Sequence, residues 1–205
     1  MERQIAEQGF QNLEWFLDYD GDELTDHEIQ KWYTPEFWFQ RFVPQFYGNV
    51  VSRPRILGRG SISLVIKHAN IYEKIANSND EYALVLEDDV LFNDNFKQLE
   101  QYMESAPDDW DMIFIGSCCN LRVPNPVDGQ YFYRKESPST KCTDSFLIKK
   151  DAARKLANGL RRFSLTIDFE LNYHLHFNKM NVYWLEPPVT RQGSESGLFE
   201  STGKP

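Results

Sequence analysis

The sequence predicts an α/β fold built around a largely parallel sheet. Apolar segments of strand length alternate along the chain with segments whose apolar residues recur at helical spacing, the order typical of layered α/β proteins. Two strand-like segments, 83–86 and 112–115, are short and unbroken, as expected for strands covered by helices on both faces. The 205 residues, 41% of them apolar, contain no obvious linker or repeat, so one domain is expected over residues 1–205.

Helices are predicted where apolar residues follow a helical period or where the chain carries start and stop signals. The predicted helices are 1–8, 61–77, 95–103, 151–157 and 168–177. The first is a fragment within residues 1–9 that ends at a glycine, and the second has two apolar stripes that indicate burial on two sides. The aromatic-rich segment 36–47 is interpreted as a small local core rather than a binding face.

Strands are predicted from short runs of β-branched, aromatic and other apolar residues. The predicted strands are 13–16, 83–86, 112–116, 142–148 and 181–185. A loop rich in Pro and Asn is expected to end near Thr140, and residues 186–205, rich in Pro, Gly and Ser, are expected to form a closing loop and tail.

Three carboxylates, Glu87, Asp88 and Asp89, directly follow the apolar run 83–86. Adjacent carboxylates repel one another and are costly to desolvate, so this strand is expected to end in a crevice, where open α/β sheets bind ligands. Side chains alternate along an extended strand, which would place Glu87 and Asp89 on one side and Asp88 on the other. Two hard oxygen ligands on one side suit Mg²⁺ or Mn²⁺, although a solvated acidic turn has the same sequence.

Charge and cysteine content limit the classes of function. A net charge of −9 argues against nucleic acid or an anionic membrane as the main partner, but allows an anionic small substrate held by a metal. Neither a membrane span nor a signal peptide is expected. The three cysteines, Cys118, Cys119 and Cys142, suggest neither an even disulfide set nor a spaced zinc motif, and the vicinal pair is interpreted as packing. A reducing cytoplasm is the simplest location.

Other polar residues allow two interpretations each. His68 lies on an apolar helical stripe and is either a core histidine or a group that reaches a phosphate or orients a metal ligand. Asp168 either caps a helix or acts as a general base. The segment 191–196 is suited to folding over a diphosphate, but a disordered tail would look similar. The acidic segment 18–22 starts like a calcium loop but lacks its Gly at position six and Glu at position twelve, so a surface turn is expected.

Four segments stand in the same order as in one known family. They are the glycine-led helix start 60–68, with Lys67 where the family has Ser, the acidic strand 83–91, the segment 146–153 followed by Ile167 and Asp168, and the closing segment 187–194. The early region around Asp20 and Gly21 is also similar. On these residues the chain resembles glycosyltransferase family 25, which contains bacterial lipooligosaccharide galactosyltransferases and collagen galactosyltransferases.

The resemblance implies a GT-A fold, the Rossmann-like arrangement of nucleotide-diphospho-sugar transferases. It also implies metal-dependent, inverting transfer of a hexose, galactose favoured, from a UDP-sugar. The acceptor would be a hydroxyl of a glycan, of a lipid-linked glycan or lipooligosaccharide, as in LPS biosynthesis, or of a collagen-like chain.

The resemblance also assigns the residues that carry this chemistry. Asp89 and Glu87 would hold Mn²⁺ or Mg²⁺, and Asp88 would face the ribose or sugar of the donor. Asp168 would take the proton from the attacking hydroxyl. The remaining donor contacts would come from Lys67, His68, Gln192, Gly193 and Ser194.

The chain departs from the family at its start. Family members begin with a strand of the type INLxRRxDR, whereas this sequence opens at Met1 within what resembles the following helix, so the first strand is expected to be missing. Either the start codon is misassigned, the chain is trimmed, or part of the donor site is lost. Two alternatives therefore remain: an inactive glycosyltransferase-like module that binds glycan or protein, and a Mg²⁺-dependent phosphoryl-transfer or hydrolytic enzyme.

Overall fold

The computed structural model describes residues 2–10, 12–46, 52–53, 55–194 and 197. The chain divides into two compact units, one from the described residues of 1–15, 81–149 and 180–200, the other from those of 16–80 and 150–179. The helices are α1 Glu2–Gln8, α2 Asp26–Trp32, α3 Phe37–Phe46, α4 Arg59–Asn77, α5 Leu99–Met103, α6 Lys150–Gly159 and α7 Ile167–Phe177. The strands are β1 Tyr82–Leu86, β2 Val90–Phe92, β3 Met112–Phe114, β4 Phe132–Arg134, β5 Ser145–Lys149, β6 Val182–Leu185 and β7 Thr190–Gln192.

The first unit contains all seven strands. Five of them form a sheet in the order β1-β5-β3-β6-β4, and β2 pairs with β7 in a separate two-stranded sheet. Its main apolar cluster includes Ile113, Ile115, Leu147 and Leu185, which come from β3, β5, β6 and the residue after β3. Phe96, from a short helical segment at 94–98, belongs to the same cluster. One continuous helix was predicted over 95–103, but the structure has two short segments, 94–98 and 99–103.

The expectation of a largely parallel sheet is wrong. Among the described strand pairs of the main sheet, only β3 and β6 run parallel, and the other three pairs are antiparallel. The reason is that β5 is inserted between β1 and β3. No α-helix lies between β3 and β5 in the chain, so the chain reverses direction instead of crossing over.

The strand directions nevertheless bring the ends of several strands to one edge of the sheet. Because β1 and β3 are both antiparallel to β5, and β6 is parallel to β3, the carboxyl ends of β1, β3 and β6 lie at the edge where β5 begins. Residues just after these three strands and just before β5 are therefore neighbours.

The second unit is helical in its described part. The long helix α4 confirms the predicted helix over 61–77, and it buries residues from both apolar stripes, including Ile62, Val65, Ile66 and His68. It packs against α6, whose buried residues are Ala152, Ala153 and Leu156.

Two predictions for the early part of the chain fail. Residues 13–16 form no strand, because Leu13 and Trp15 are exposed and no described strand pairs with them. The aromatic segment is the helix α3, but Trp38 is 66% exposed and Phe42 is 56% exposed, so these two rings do not form a local core. Tyr47, also assigned to that core, lies outside the described residues.

The acidic segment 18–22 is a surface turn, as predicted. Asp20 accepts backbone hydrogen bonds from Asp22 through Oδ1 and from Glu23 and Leu24 through its carbonyl oxygen. Within the described residues, no helix combines the length and apolar character that a membrane span requires.

Candidate active site

The three carboxylates of the acidic motif lie in a turn directly after β1. The strand ends at Leu86, and Val90 donates its backbone N–H back to the carbonyl oxygen of Glu87 before β2 begins. The alternation of side chains along a strand therefore stops at Leu86. The argument that placed Glu87 and Asp89 on one side of a continuous strand is wrong. Even so, Asp88 is exposed while Glu87 and Asp89 are partly buried. Of the strand in front, only Val85 is buried, because β1 pairs with β5 alone among the described strands.

The closing segment folds back onto this turn. Pairing of β2 with β7 places Val90 opposite Gln192. Gly193 then donates its backbone N–H to the carbonyl oxygen of Asp89 at 2.8 Å, and Ser194 donates its backbone N–H to Oδ2 of Asp89 at 3.2 Å. Asp89, Gln192, Gly193 and Ser194 are therefore brought together by main-chain contacts.

A fourth carboxylate, Asp144, joins the site although the sequence did not identify it. It lies directly before β5, and its carbonyl oxygen accepts the backbone N–H of Glu87 at 2.8 Å. The side chain is completely buried, with Oδ2 accepting a hydrogen bond from Ser145. Its only sequence signal is a polar triplet, Thr143 to Ser145, in front of a buried strand.

The pKa of Asp144 is set by its burial and by the neighbouring carboxylates. Burial is the main reason that the pKa of Asp144 rises to about 7, and the nearby charges of Glu87 and Asp89 raise it further, against the opposing effect of the Ser145 hydrogen bond. Glu87 is itself held by Thr143, which donates its hydroxyl to Oε1 at 2.6 Å. The carboxylates are thus positioned by chain segments from β1, β5 and β7.

These residues fit a hard divalent cation. Oδ1 of Asp89 and Oδ1 of Asp144 are buried and accept no hydrogen bond within the described part of the chain. A buried carboxylate oxygen without a donor is costly, and a cation would compensate it. Glu87, Asp89 and Asp144 are not a preformed set of three close ligand atoms, but Mg²⁺ needs only one or two carboxylates when substrate phosphates and waters complete its shell.

The other predicted residues belong to the second unit. Lys67 lies in α4 and is partly buried, and His68 is 2% exposed with its ring 5.7 Å from that of Tyr72. Asp168 is the second residue of α7 and is partly buried. Thr166 occupies the N-cap position of α7, so Asp168 is not the N-cap residue. The assigned donor and base roles of these three residues stay predictions.

A buried ion pair lies at the same edge of the sheet. Glu186, directly after β6, accepts hydrogen bonds from Arg122 and from the backbone N–H of Val123, and its Oε1 lies 3.4 Å from Nζ of the fully buried Lys141. Burial lowers the pKa of Lys141 to about 8. Burial would raise the pKa of Glu186, but the hydrogen bonds from Arg122 and the charge of Lys141 outweigh it and hold that pKa below its usual range.

The cysteines do not behave as the sequence suggested. Cys118, after β3, forms a disulfide with Cys142, before β5, and Cys119 lies beside that bridge. The expectation of no disulfide is therefore wrong. The sequence could not show this, because the two partners are 24 residues apart and meet only through the inserted position of β5.

Comparison with known proteins gives one family match and several relatives of 30–36% identity. The model of glycosyltransferase family 25 (LPS biosynthesis protein) matches residues 40–171. Procollagen galactosyltransferase 2 from Mus musculus is 30% identical over 142 residues, which are 67% of this chain and 21% of that protein. Procollagen galactosyltransferase 1-B from Xenopus laevis is 34% identical over 124 residues, 58% of this chain and 20% of that protein.

One similar protein has a different description. The probable inactive glycosyltransferase 25 family member 3 from Bos taurus is 36% identical over 66 residues, 30% of this chain and 11% of that protein. This chain spans about a fifth of the length of the procollagen galactosyltransferases that it matches. The matched range 40–171 contains Glu87, Asp89 and Asp144 and covers more than half of the sequence, so the chain belongs to glycosyltransferase family 25.

Proposed function

We propose that this chain is a metal-dependent, inverting glycosyltransferase of the GT-A type. It transfers a hexose, galactose favoured, from a UDP-sugar to a hydroxyl of a glycan, a lipooligosaccharide or a collagen-like chain. One observation carries the proposal. The backbone of segment 192–194 contacts Asp89, and Oδ1 of Asp89 and Oδ1 of Asp144 are buried carboxylate oxygens that accept no hydrogen bond within the described residues.

The sheet edge supports donor binding at this place. In open α/β sheets, ligands bind outside the carboxyl ends of the strands. Here the carboxyl ends of β1 and β3 and the start of β5 bring Glu87, Gly116 and Asp144 to one edge. The galactosyltransferase names of two relatives favour galactose as the transferred sugar and a collagen-like acceptor as one option.

The metal would be held by Asp89 and Glu87. When bound, Mn²⁺ or Mg²⁺ stabilises the negative charge that develops on the departing nucleoside diphosphate. Asp89 is fixed for this role by the backbone N–H of Ser194, and Glu87 by the hydroxyl of Thr143. Each contact restrains one carboxylate, which lowers the entropy lost when the ligand set forms.

The donor contacts follow the assignments that the family resemblance implies. Asp88, exposed in the same turn, is assigned to the ribose or sugar, and Gln192, Gly193 and Ser194 are assigned to the diphosphate. Lys67 and His68 are assigned further donor contacts, with Lys67 supplying a cation to a phosphate.

Asp168 is assigned as the general base. It would take the proton from the acceptor hydroxyl while that oxygen displaces the diphosphate from the opposite face of the sugar. Its amide variant, Asp168→Asn, should lower kcat by at least about a hundredfold with little change in donor affinity. Asp151→Asn, at the first turn of α6 and exposed, is the matched control and should retain activity.

The first test is calorimetric titration of UDP-galactose and UDP-glucose in Mn²⁺ and in EDTA. Binding should require the metal, and it should be lost in Asp89→Asn but kept in Asp128→Asn, which removes the same charge from an exposed loop. Donor binding that persists in EDTA, or in Asp89→Asn, would refute the proposed site. Release of phosphate from a nucleotide or phosphoester without any acceptor would instead favour the phosphoryl-transfer or hydrolytic alternative.

A second function, an inactive module that binds glycan or protein, is favoured by one observation. One relative of similar identity is described as probably inactive. Galactose transfer to a panel of glycan, lipooligosaccharide and collagen-peptide acceptors would exclude the inactive module. Metal-dependent UDP-galactose binding with no transfer to any acceptor in that panel would favour it.

A further inference from the structure

Three cysteine sulfurs meet at the edge of the main sheet. Sγ of Cys119 lies 3.6 Å from Sγ of Cys118 and 3.8 Å from Sγ of Cys142. Among the described residues, these cysteines form the one group of three or more His, Cys, Asp or Glu side chains whose ligand atoms all lie within 4.8 Å of one another. The group, called here the cysteine cluster, has no role in the proposed glycosyl transfer.

The backbone brings the three sulfurs together by an unusual route. Cys118 and Cys119 lie in a short 3-10 turn after β3, and Cys142 comes from the segment before β5. Cys119 has φ of 54° and Cys142 has φ of 58°, both in the left-handed region that non-glycine residues seldom adopt. Such conformations persist only where the surroundings enforce them, and they concentrate at functional sites.

The spacing of the cluster matches a metal thiolate site. With a zinc–sulfur bond of about 2.3 Å, two thiolates on a tetrahedral zinc are roughly 3.8 Å apart. The two distances from Cys119, 3.6 Å and 3.8 Å, are already near that value. Only the Cys118–Cys142 pair is closer, because it is bonded.

We propose that the reduced cysteine cluster binds one thiophilic cation of the Zn²⁺ class through all three thiolates. A dithiol or phosphine reductant first transfers two electrons to the disulfide, and with two protons this gives the thiols of Cys118 and Cys142. Binding of the cation then releases the three thiol protons and forms three metal–sulfur bonds. The fourth position is left to water or an external ligand, because no other described side chain belongs to the group.

The cysteine cluster differs chemically from the carboxylates of the candidate active site. Thiolates select soft or borderline cations, whereas carboxylates suit Mg²⁺ and Mn²⁺. The two sites can therefore be loaded separately, and the proposal stands even if the chain transfers no sugar. A reducing compartment, such as the cytoplasm expected from the sequence, would supply the reduced state.

The test uses the whole chain, reduced with a phosphine under anaerobic conditions and then freed of reductant. A thiol assay should first find three thiols per chain. Titration with Cd²⁺ should then give thiolate charge-transfer absorbance that saturates at one equivalent, and competition should show that Zn²⁺ occupies the same site. Circular dichroism and the unfolding midpoint of each variant check that the fold is kept.

Matched variants identify the ligands. Cys119→Ser changes an exposed residue outside the disulfide, so this variant should fold. It removes one of three thiolates, so the Cd²⁺ absorbance should fall by about one third and the affinity for Zn²⁺ should weaken by more than about tenfold. Asn120→Gly changes the same turn, suits the left-handed φ of Asn120 and keeps all three thiols, so its titration should match the unsubstituted chain. Asp89→Asn should also leave the Cd²⁺ absorbance unchanged.

Three results would overturn the proposal. A disulfide that resists millimolar reductant in the folded chain would leave no trithiolate to bind. A reduced chain that gives no saturable absorbance at one equivalent would lack the site. Unchanged affinity in Cys119→Ser would show that the third sulfur is not a ligand.

Discussion

Gly116 lies directly against the side chain of Asp144. A Cβ atom at position 116 would collide with Oδ2 of Asp144 and would lie 2.6 Å from Oγ of Ser145, far inside van der Waals contact. The close approach lets the chain after β3 pass beside the start of β5, where the buried Asp144 carboxylate lies. Position 116 therefore requires glycine, because any side chain there would collide with Asp144 and Ser145.

Substitution of Gly116 should disturb the site more than the fold. In Gly116→Ala, the new methyl group must displace Asp144 and Ser145, so we expect Mn²⁺ affinity to fall by at least about tenfold and stability by about 1–3 kcal/mol. Calorimetry and urea denaturation measure the two effects. Gly58→Ala is the control for Mn²⁺ affinity, because a Cβ there meets no atom within 4 Å, although Ala is less favourable than Gly at this N-cap of α4. Equal effects of the two substitutions on Mn²⁺ affinity would refute the role assigned to Gly116.

The hydroxyl of Thr143 should contribute to metal binding only through Glu87. Thr143→Val keeps the shape of this buried side chain but removes its 2.6 Å hydrogen bond to Glu87 Oε1. We expect about tenfold weaker Mn²⁺ binding, the size of one hydrogen bond to a charged group. In a double-mutant cycle, Thr143→Val should have little further effect in Glu87→Gln. Additive effects of the two changes would show that Thr143 acts elsewhere.

Stability of the second unit should depend on the protonation of Glu170. Burial raises the pKa of Glu170 to about 7, although its Oε1 accepts backbone hydrogen bonds from Ser164 and Leu165. The unfolded chain loses this proton above about pH 4.5, whereas the folded chain keeps it until about pH 7. The folded state therefore binds more protons between these values, and this contribution to stability falls as pH rises.

The variant Glu170→Gln isolates that contribution, because Gln keeps the acceptor oxygen but cannot ionise. Relative to the unsubstituted chain, the variant should gain about 3 kcal/mol in free energy of unfolding between pH 4.5 and pH 7. His174, whose pKa burial lowers to about 4, has the opposite pH dependence and should flatten the profile of the unsubstituted chain. Urea denaturation across this range measures the difference.

The two members of the buried ion pair should not be equivalent. Glu186→Gln leaves the fully buried Lys141 without its carboxylate, and we expect a loss of about 3–5 kcal/mol. Lys141→Met leaves Glu186 paired with Arg122, with hydrogen bonds of 2.9 Å and 3.1 Å, so we expect a loss below about 2 kcal/mol. Denaturation at pH 7 compares the two variants, and a greater loss in Lys141→Met would contradict this asymmetry.

The sequence predicted those features that depend on local pattern. The helix over 61–77 and the strand around Met112 follow from periodicity and apolar runs, and both are present. The acidic motif was predicted to follow a strand, and it does. The closing segment was interpreted as suited to folding over a diphosphate, which stays a prediction, but the structure does show its backbone N–H groups in contact with Asp89.

Features that depend on distant pairing could not be predicted. The antiparallel insertion of β5 between β1 and β3 leaves no local signal, and it is this insertion that brings Asp144 and Cys142 to the edge of the sheet. The alternation argument for Glu87 and Asp89 assumed a continuous strand, whereas the motif is a turn between strands of two different sheets.

The hydrogen bond from the backbone N–H of Ser194 to the side chain of Asp89 joins residues 105 positions apart in the chain. Contacts of such long range are costly in loop-closure entropy and form late in folding. As the chain is synthesised, β1 and its acidic turn leave the ribosome long before the segment that restrains them. The acidic turn therefore gains the contact that restrains Asp89 only near the end of folding.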